Sequence, residues 1–454
     1  MTDIAQFELS REFVDRLNQA VSAKDVDFIK SALGGVNPAD ITETLEEFTT
    51  DDSKYVLDQL VTEVGAEVIA NLDEDTRKRF LRVFTADEIA KYVIVLDSDD
   101  AVDILNELPV KIREEIISLL PEDEKTSHIL DLMKYEEDVA GGLMAKELIK
   151  ARNSWTIEQT IEEIRHQGEN VSKIYSVYVV DDQNHLLGKV SLRKMLLAKD
   201  GTLIKDIYND EIIAVKTYED EEEVVAIMKK YDLEVIPVIN MHGKLVGRIT
   251  IDDVVDVMSD QADEERNLMS GISEDVEQDD TIWRQSRARI PWLIIGIAGS
   301  FLGAQIIGLF EGEIVVVPML AAFIPLITST GGNVAIQSSS LVVQSLANKP
   351  AFQESPFTRI IKVVLVALLN GILLAVIAFG ISYFLRQNIT VSLVVGTALA
   401  CVVLLASLSG TVTPIIMDKF NINPAAASGP FITTANDILG LVVYFTVAHL
   451  LLNF

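Results

Sequence analysis

Cysteine is almost missing from this chain. Cys401 is the single one in 454 residues and sits in an apolar run. Neither a disulfide framework nor a thiolate metal site can be assembled from it, and it reads as a small buried hydrophobe. Histidine is also sparse. The five (His128, His166, His185, His242 and His449) are scattered, which speaks against a zinc or copper path and leaves them structural or on the surface. Basic residues are outnumbered, with 38 Lys and Arg against 69 Asp and Glu and a net charge of −31. Nucleic-acid binding, which needs basic patches, is excluded on that ground. There is no Gly-Lys phosphate loop, no Ser-His-Asp motif and no zinc spacing, so no enzyme constellation is visible. The opening stretch, MTDIAQFELSREF, lacks the apolar core of a signal peptide, and the polar half is expected to stay cytoplasmic.

The charge is unevenly spread. From Ile290 onward there are five acids (Glu311, Glu313, Glu354, Asp418, Asp437) and five bases (Lys349, Arg359, Lys362, Arg386, Lys419). That half is neutral, so the whole excess of acid lies in residues 1–289. Five apolar runs occupy the neutral half: Ile290–Phe310, Val315–Leu346, Ile360–Leu385, Val391–Ile416 and Gly429–Leu451. The first of them is already about 31 Å long as a helix, enough to cross a bilayer. Arg284, Arg287 and Arg289 precede it, and Lys349, Arg359 and Lys362 follow the second run. By the positive-inside rule these flanks place the N-terminus in the cytoplasm and the C-terminus outside. The last run carries one carboxylate, Asp437, at an insertion cost of about 2.5–3.5 kcal/mol. A pore, a cation or a partner group is expected to offset that cost.

The acidic half divides in two. Residues 1–135 carry an apolar spacing in multiples of twelve. Phe48, Val56, Leu57 and Leu60 recur as Leu72, Phe80, Leu81 and Phe84, then as Leu96, Ile104, Leu105 and Leu108, then as Leu108, Ile116, Ile117 and Leu120. Short amphipathic helices stacked as a solenoid would bury them. YEEDVAGGLM at 135 reads as a hinge. A second repeat aligns YSVYVVDDQNHLLGKVSLRKML at 175 with EVIPVINMHGKLVGRITIDDVV at 234. Each copy predicts strand, turn, strand and helix, with a further helix before it (Ile157–His166 and Glu221–Tyr231). The pair resembles tandem CBS motifs, a regulatory module that commonly binds adenosyl nucleotides. Thr250 and Asp253 match the nucleotide pattern in the second copy; the first has Ser191 but Lys194 in the acidic position. An acidic, helical connector follows.

The second apolar run is unusual. Pro325, Gly331 and Gly332 are expected to break it, and Thr328, Ser329, Thr330, Asn333, Gln337 and Ser338 crowd it with polar groups. It reads either as a cation path or as helix packing through small residues. Oxygen donors without His or Cys suit hard ions such as Mg²⁺, Ca²⁺ or Mn²⁺. One carboxylate per chain is few for a divalent ion, and a two-fold dimer would supply a second.

Taken together, this order of parts resembles the MgtE family of magnesium channels and transporters over nearly the whole chain. The motifs that carry the resemblance are YEEDVAGGLM at 135, PLITSTGGNVAIQSSSL at 325 and GPFITTANDILG at 429. It implies an all-α superhelical N-terminal domain (1–135), an α+β tandem CBS domain (136–260), a connector or plug helix (261–289) and a five-helix transmembrane pore domain (290–454). It also implies a homodimer in the cell membrane that imports Mg²⁺, with Asp437 on the path. Gly331, Gly332, Asn333, Gln337, Pro430 and Thr433 are the implied pore lining. Cytosolic Mg²⁺ would be sensed, and the pore closed, by Asp99, Asp103, Asp220, Glu222, Asp232, Asp253, Asp256, Glu264 and Glu265, with Glu67 as a further match. ATP at Thr250 and Asp253 is the implied nucleotide. Ile336 and Gly429 stand where the family often has Asn. A Na⁺- or H⁺-coupled divalent-cation carrier and a CBS-regulated channel for other divalent cations are the alternatives.

Overall fold

The computed structural model describes residues 10–168, 174–274, 276, 280–347, 356–427 and 429–453; Lys349 and Glu354 lie outside them. The chain forms two compact units, one ending at Met258 and the other beginning at Ser259.

The first unit opens with short helices: α1 (Arg11–Ala23), α2 (Val26–Leu33), α3 (Pro38–Glu46), α4 (Thr50–Leu57), α5 (Thr62–Ala70), α6 (Glu74–Phe80), α7 (Ala86–Val93), α8 (Ser98–Asn106), α9 (Val110–Leu119) and α10 (Glu124–Leu132). Their starts follow from capping chemistry. Ser10, Asp25, Asn37, Thr49, Asp73, Thr85 and Asp123 each accept a backbone N–H one turn into the helix they precede. The twelve-residue spacing falls on the core face. Val56, Leu57, Phe80, Leu81, Ile104, Leu105 and Ile116 are buried, while Phe48, Leu60 and Ile117 pack against them.

Two small sheets follow. The first copy runs β1 (Ile149–Arg152), α11 (Ile157–Gln167), β2 (Val177–Val180), β3 (Leu186–Val190) and α12 (Leu192–Leu197). The second runs β4 (Val215–Lys216), α13 (Glu221–Tyr231), β5 (Val235–Ile239), β6 (Leu245–Thr250) and α14 (Ile251–Ser270). In each, the first strand pairs parallel with the second, and the second pairs antiparallel with the third. Gly188 pairs with Val179 and Gly247 with Val238, and both registers slip one residue later. The internal repeat therefore extends to its irregularities. The cores differ, however. The first copy has its own cluster around Ile149, Val177 and Val190, whereas Val224, Met228, Ile249 and Val254 of the second join the core of the helical repeats.

In the second unit, five helices among the described residues are long and apolar enough to span a membrane. They are α15 (Ile282–Leu309), α17 (Ile324–Ala347), α18 (Pro356–Arg386), α19 (Ile389–Lys419) and α20 (Pro430–Leu452), with a short α16 (Glu311–Val316) after α15. The first helix begins at Ile282, upstream of its apolar run, and carries Arg284, Arg287 and Arg289 on its first turns. Arg284 pairs with Asp280 at 3.0 Å and Arg287 with Glu274 at 3.1 Å.

The expected break at Pro325 and Gly331–Gly332 is not there. α17 is uninterrupted, because Pro325 sits in its first turn, where a missing N–H breaks no helical bond. The irregular backbone comes earlier, as the 3₁₀ stretch Pro318–Phe323. There the buried Tyr444 hydroxyl donates to the Leu320 carbonyl at 2.8 Å, and His449 Nδ1 lies 2.7 Å from Glu313 Oε1. Non-helical backbone at membrane depth needs such partners.

Leu105 is fully buried at the centre of the repeat. Leu105→Ala should cost the first unit about 2–5 kcal/mol, read as an earlier midpoint in urea denaturation.

Candidate cation path and cytosolic acidic cluster

Asp437 is half-buried on α20. It opens on a cleft of about 880 Å³, whose other lining residues include Arg289, Trp292, Ser300, Pro430 and Thr434. α17 approaches from another side. A Cβ on Gly332 would stand 3.0 Å from Thr433 Cγ2 and 3.7 Å from Asp437 Oδ1. Gly332 thus makes room for α20, and Gly331, where a Cβ would stand 3.0 Å from Val402 Cγ1, for α19, instead of breaking their own helix. The residue before Asp437, Asn436, is buried; its Oδ1 accepts from the Ser409 hydroxyl at 2.8 Å and its amide donates to the Ile432 carbonyl at 2.8 Å. The Asn436–Ser409 contact fixes the rotation of α20 and turns Asp437 away from α19.

The polar residues of α17 divide. Gly331 and Gly332 are buried against neighbouring helices, whereas Ser329, Asn333 and Gln337 are exposed along one face at i, i+4 and i+8. Within one chain, then, Asn333 and Gln337 do not join Gly332 in facing Asp437. Thr433 lies one turn before Asp437 and touches Gly332, and Pro430 opens the helix. Ile336 is half-buried between these faces.

In the first unit, acids of α8 and α14 come together. Asp99, whose neighbours include Asp97, Asp100, Asp253 and Glu147, is pushed well above the usual carboxylate range by burial and then by those charges. Burial, then Asp253 and Asp97, pushes Asp100 up to about 7. Asp103 is likewise raised to about 7 by burial, then by Asp100, Glu107 and Glu137 against the opposing pull of Arg77. Asp100 and Asp103 are nonetheless exposed to solvent, which discounts the burial contribution; the like charges around Asp100 give the same direction, whereas Arg77 opposes it at Asp103. Asp253 is raised to about 6, chiefly by burial, and Asp256 is raised by burial and Asp252. Among the described residues no three His, Cys, Asp or Glu side chains are close enough to hold a metal ion by themselves. The cluster is a concentration of charge, not a finished coordination sphere.

Resident cations flank it, and nothing in the sequence pattern marked them. Arg77 forks onto Glu107, with Nε 3.0 Å from each carboxylate oxygen, and donates Nη1 to the Ala70 and Leu72 carbonyls at 2.7 and 3.2 Å. Arg248, buried on β6, donates to the Glu147 carbonyl and lies 3.5 Å from Asp97. Ser98 joins α8 to the same segment, its hydroxyl 2.7 Å from Glu147 Oε2.

The remaining sequence candidates sit differently. Asp220 caps α13 by accepting the Glu222 N–H at 2.9 Å. Asp232 ends that helix in the left-handed conformation. Both thereby have structural duties that the capping rules account for. Glu222 and Glu67 are exposed on α13 and α5. Glu264 and Glu265 lie on α14, in the second unit. Thr250 gives both its N–H and its hydroxyl to Asp253 Oδ2, at 2.8 and 2.7 Å. The pair expected to meet a nucleotide is therefore bonded to itself, beside the acids of α8. In the first copy Ser191 caps α12 onto the Lys194 N–H instead.

Family models match three parts of the chain: a divalent cation transporter model over residues 324–447, an intracellular N domain model of the MgtE family over 36–138, and the CBS domain over 137–201 and 204–260. A magnesium transporter MgtE of Enterococcus faecalis is 34% identical over 73% of each chain. That of Thermus thermophilus is 30% identical over 96% of this chain and 98% of its own. Among solved structures, the cytosolic domain of the Mg²⁺ channel MgtE in complex with ATP is 30% identical, with a TM-score of 0.51 over 54% of this chain and 99% of its own. The soluble part of a magnesium transporter gives 28% and 0.51 over 55% and 98%. A carboxylate on a membrane helix, a polar neighbouring helix and an acidic cytosolic half thus occur in a multi-pass membrane chain that belongs to the MgtE family of divalent cation transporters.

Proposed function

We propose that the chain is a Mg²⁺ channel that imports magnesium as a homodimer and is closed by cytosolic Mg²⁺. The observation that carries the transport reading is Asp437, half-buried in its cleft beside the polar helix α17. A second copy around a two-fold axis would bring another Asp437 to the path and cover the exposed face of Ser329, Asn333 and Gln337, which lipid does not suit. Mg²⁺ surrenders its waters reluctantly, so two carboxylates with amides and hydroxyls around them suit a largely hydrated ion. The arginine flank of α15 supports a cytoplasmic N-terminus and an outward C-terminus.

Closure follows from charge. Two carboxylates about 4 Å apart repel by roughly 1 kcal/mol in water and about 4 kcal/mol at an effective dielectric of 20. Mg²⁺ held among Asp99, Asp103, Asp253 and Asp256 would relieve that repulsion and stabilise the compact arrangement by mass action. Asp220, Glu222, Asp232, Glu264, Glu265 and Glu67 would extend the acidic field. ATP at Thr250 and Asp253 would engage the same carboxylate, so nucleotide and Mg²⁺ would act on one switch.

Asp437→Ala should abolish Mg²⁺-dependent growth of cells that lack other Mg²⁺ importers, with normal membrane insertion; full rescue by this variant would remove Asp437 from the path. Asp253→Asn with Asp256→Asn should leave Mg²⁺ flux running when internal Mg²⁺ is high, measured in patches or liposomes. Inhibition at the wild-type concentration would rule out these acids as sensors. A pH dependence also follows. Carboxyls held at about 6 to 7 in the folded protein but near 4 when unfolded favour the folded state below pH 4. That advantage is lost as pH rises to about 7. Metal-free cytosolic structure should therefore be more resistant to limited proteolysis at pH 5 than at pH 8. Added Mg²⁺ should protect strongly at pH 8 and little at pH 5.5, where protons occupy its ligands.

A further inference from the structure

The start of α20 has an unusual seat. Its cap residue, Gly429, offers no side-chain cap, and a side chain there would be crowded. A Cβ there would stand 3.0 Å from the carbonyl oxygens of both Leu268 and Met269, in the last turn of α14. The converse holds across the contact. Gly271, just past the end of α14, has φ +76°, and a Cβ on it would lie 2.5 Å from Pro430 Cγ and 3.0 Å from Cδ. Its N–H and that of Ile272 return to the Leu268 and Asn267 carbonyls at 3.1 and 2.9 Å, the left-handed ending that glycine supports without strain. Beyond it, the N–H and hydroxyl of Ser273 both donate to the Ala288 carbonyl, at 3.0 and 2.8 Å. The loop is thereby fixed to α15.

Two glycines thus bring the carbonyl end of α14 against the amide end of α20. The partial charges there are opposite, negative at a helix C-terminus and positive at an N-terminus. α14 is the helix that carries Asp253, Asp256, Glu264 and Glu265, and α20 the one that carries Asp437. We propose that Gly271 and Gly429 form a backbone-on-backbone seat that transmits the position of α14 directly to the ion-path helix. Residue 429 is then a determinant of gating: in the place of a side chain, this chain has a direct helix-to-helix contact. The transmission part rests on the closure reading above; the seat itself rests on the contacts alone.

The test uses full-length protein in liposomes, reading the ratio of Mg²⁺ flux at low and high internal Mg²⁺. Gly429→Asn and Gly429→Ala should raise the internal Mg²⁺ needed for half-inhibition at least tenfold, more for Asn. Gly271→Ala should do the same, and adding Pro430→Ala should recover part of the loss, since the ring atoms that the new methyl meets are gone. Wild-type inhibition in a Gly429→Asn protein that elutes like the wild type would overturn the transmission. Hydrogen exchange decides the seat without reference to gating. The first turn of α20 should exchange faster in Gly271→Ala than in the wild type, and equal exchange would overturn the contact. A wild type that internal Mg²⁺ does not inhibit would refute the closure reading and the transmission with it, leaving the exchange result to decide the seat.

Discussion

A carboxylate held inside an apolar helix is the constraint around which the membrane unit is arranged. Asp437 cannot be left to lipid, so its helix must be placed to within one residue of rotation. A turn of 100° would point the acid where Asn436 now meets Ser409. The buried Asn436 makes that error costly, because misrotation would take its side-chain oxygen away from the Ser409 hydroxyl. Gly332 brings α17 against the correct face. Polar groups that are expensive at membrane depth thus specify the arrangement as well as line it.

The cytosolic acids obey the same electrostatics with the opposite outcome. In water, packed carboxylates can wait for a counter-ion; burial first and their like-charged neighbours second push Asp99 and Asp100 up. Arg77 and Arg248 supply part of the missing charge from within the fold. Arg77 is already committed to Glu107 and to two carbonyls, so it acts as a fixed charge that does not follow a moving acid. What remains uncompensated lies between α8 and α14.

Much of this was legible in the sequence because it depends on periodicity. The spacing of Leu57, Leu81 and Leu105 predicts a stacked helical core without any contact map, and the match of Gly188 with Gly247 predicts two equivalent sheets. Five apolar runs and one carboxylate led directly to Asp437. Glycine was the ambiguous letter. Gly331 and Gly332 read equally well as a break or as a place for a neighbour, and only the neighbours, Val402 and Thr433, decide between them. Gly429 looked like a lost amide until the Leu268 and Met269 carbonyls appeared beside it. The Arg77–Glu107 and Arg248–Asp97 pairs join positions far apart in the chain, and no local pattern announces them. Asp220 and Asp232 illustrate the reverse: local rules describe the roles they have at the two ends of α13.

The two attachments of α20 have a mechanical consequence. Towards its C-terminus Tyr444 and His449 bind the segment that leads into α17; at its N-terminus it rests on backbone. Asp437 lies midway, about 10 Å along the axis from both Pro430 and Tyr444. A stiff rod anchored at one end and pushed at the other pivots instead of sliding. The acid would then travel about half as far as the seat, in the plane of the membrane and not along it. Such a lever halves a displacement and doubles the force behind it.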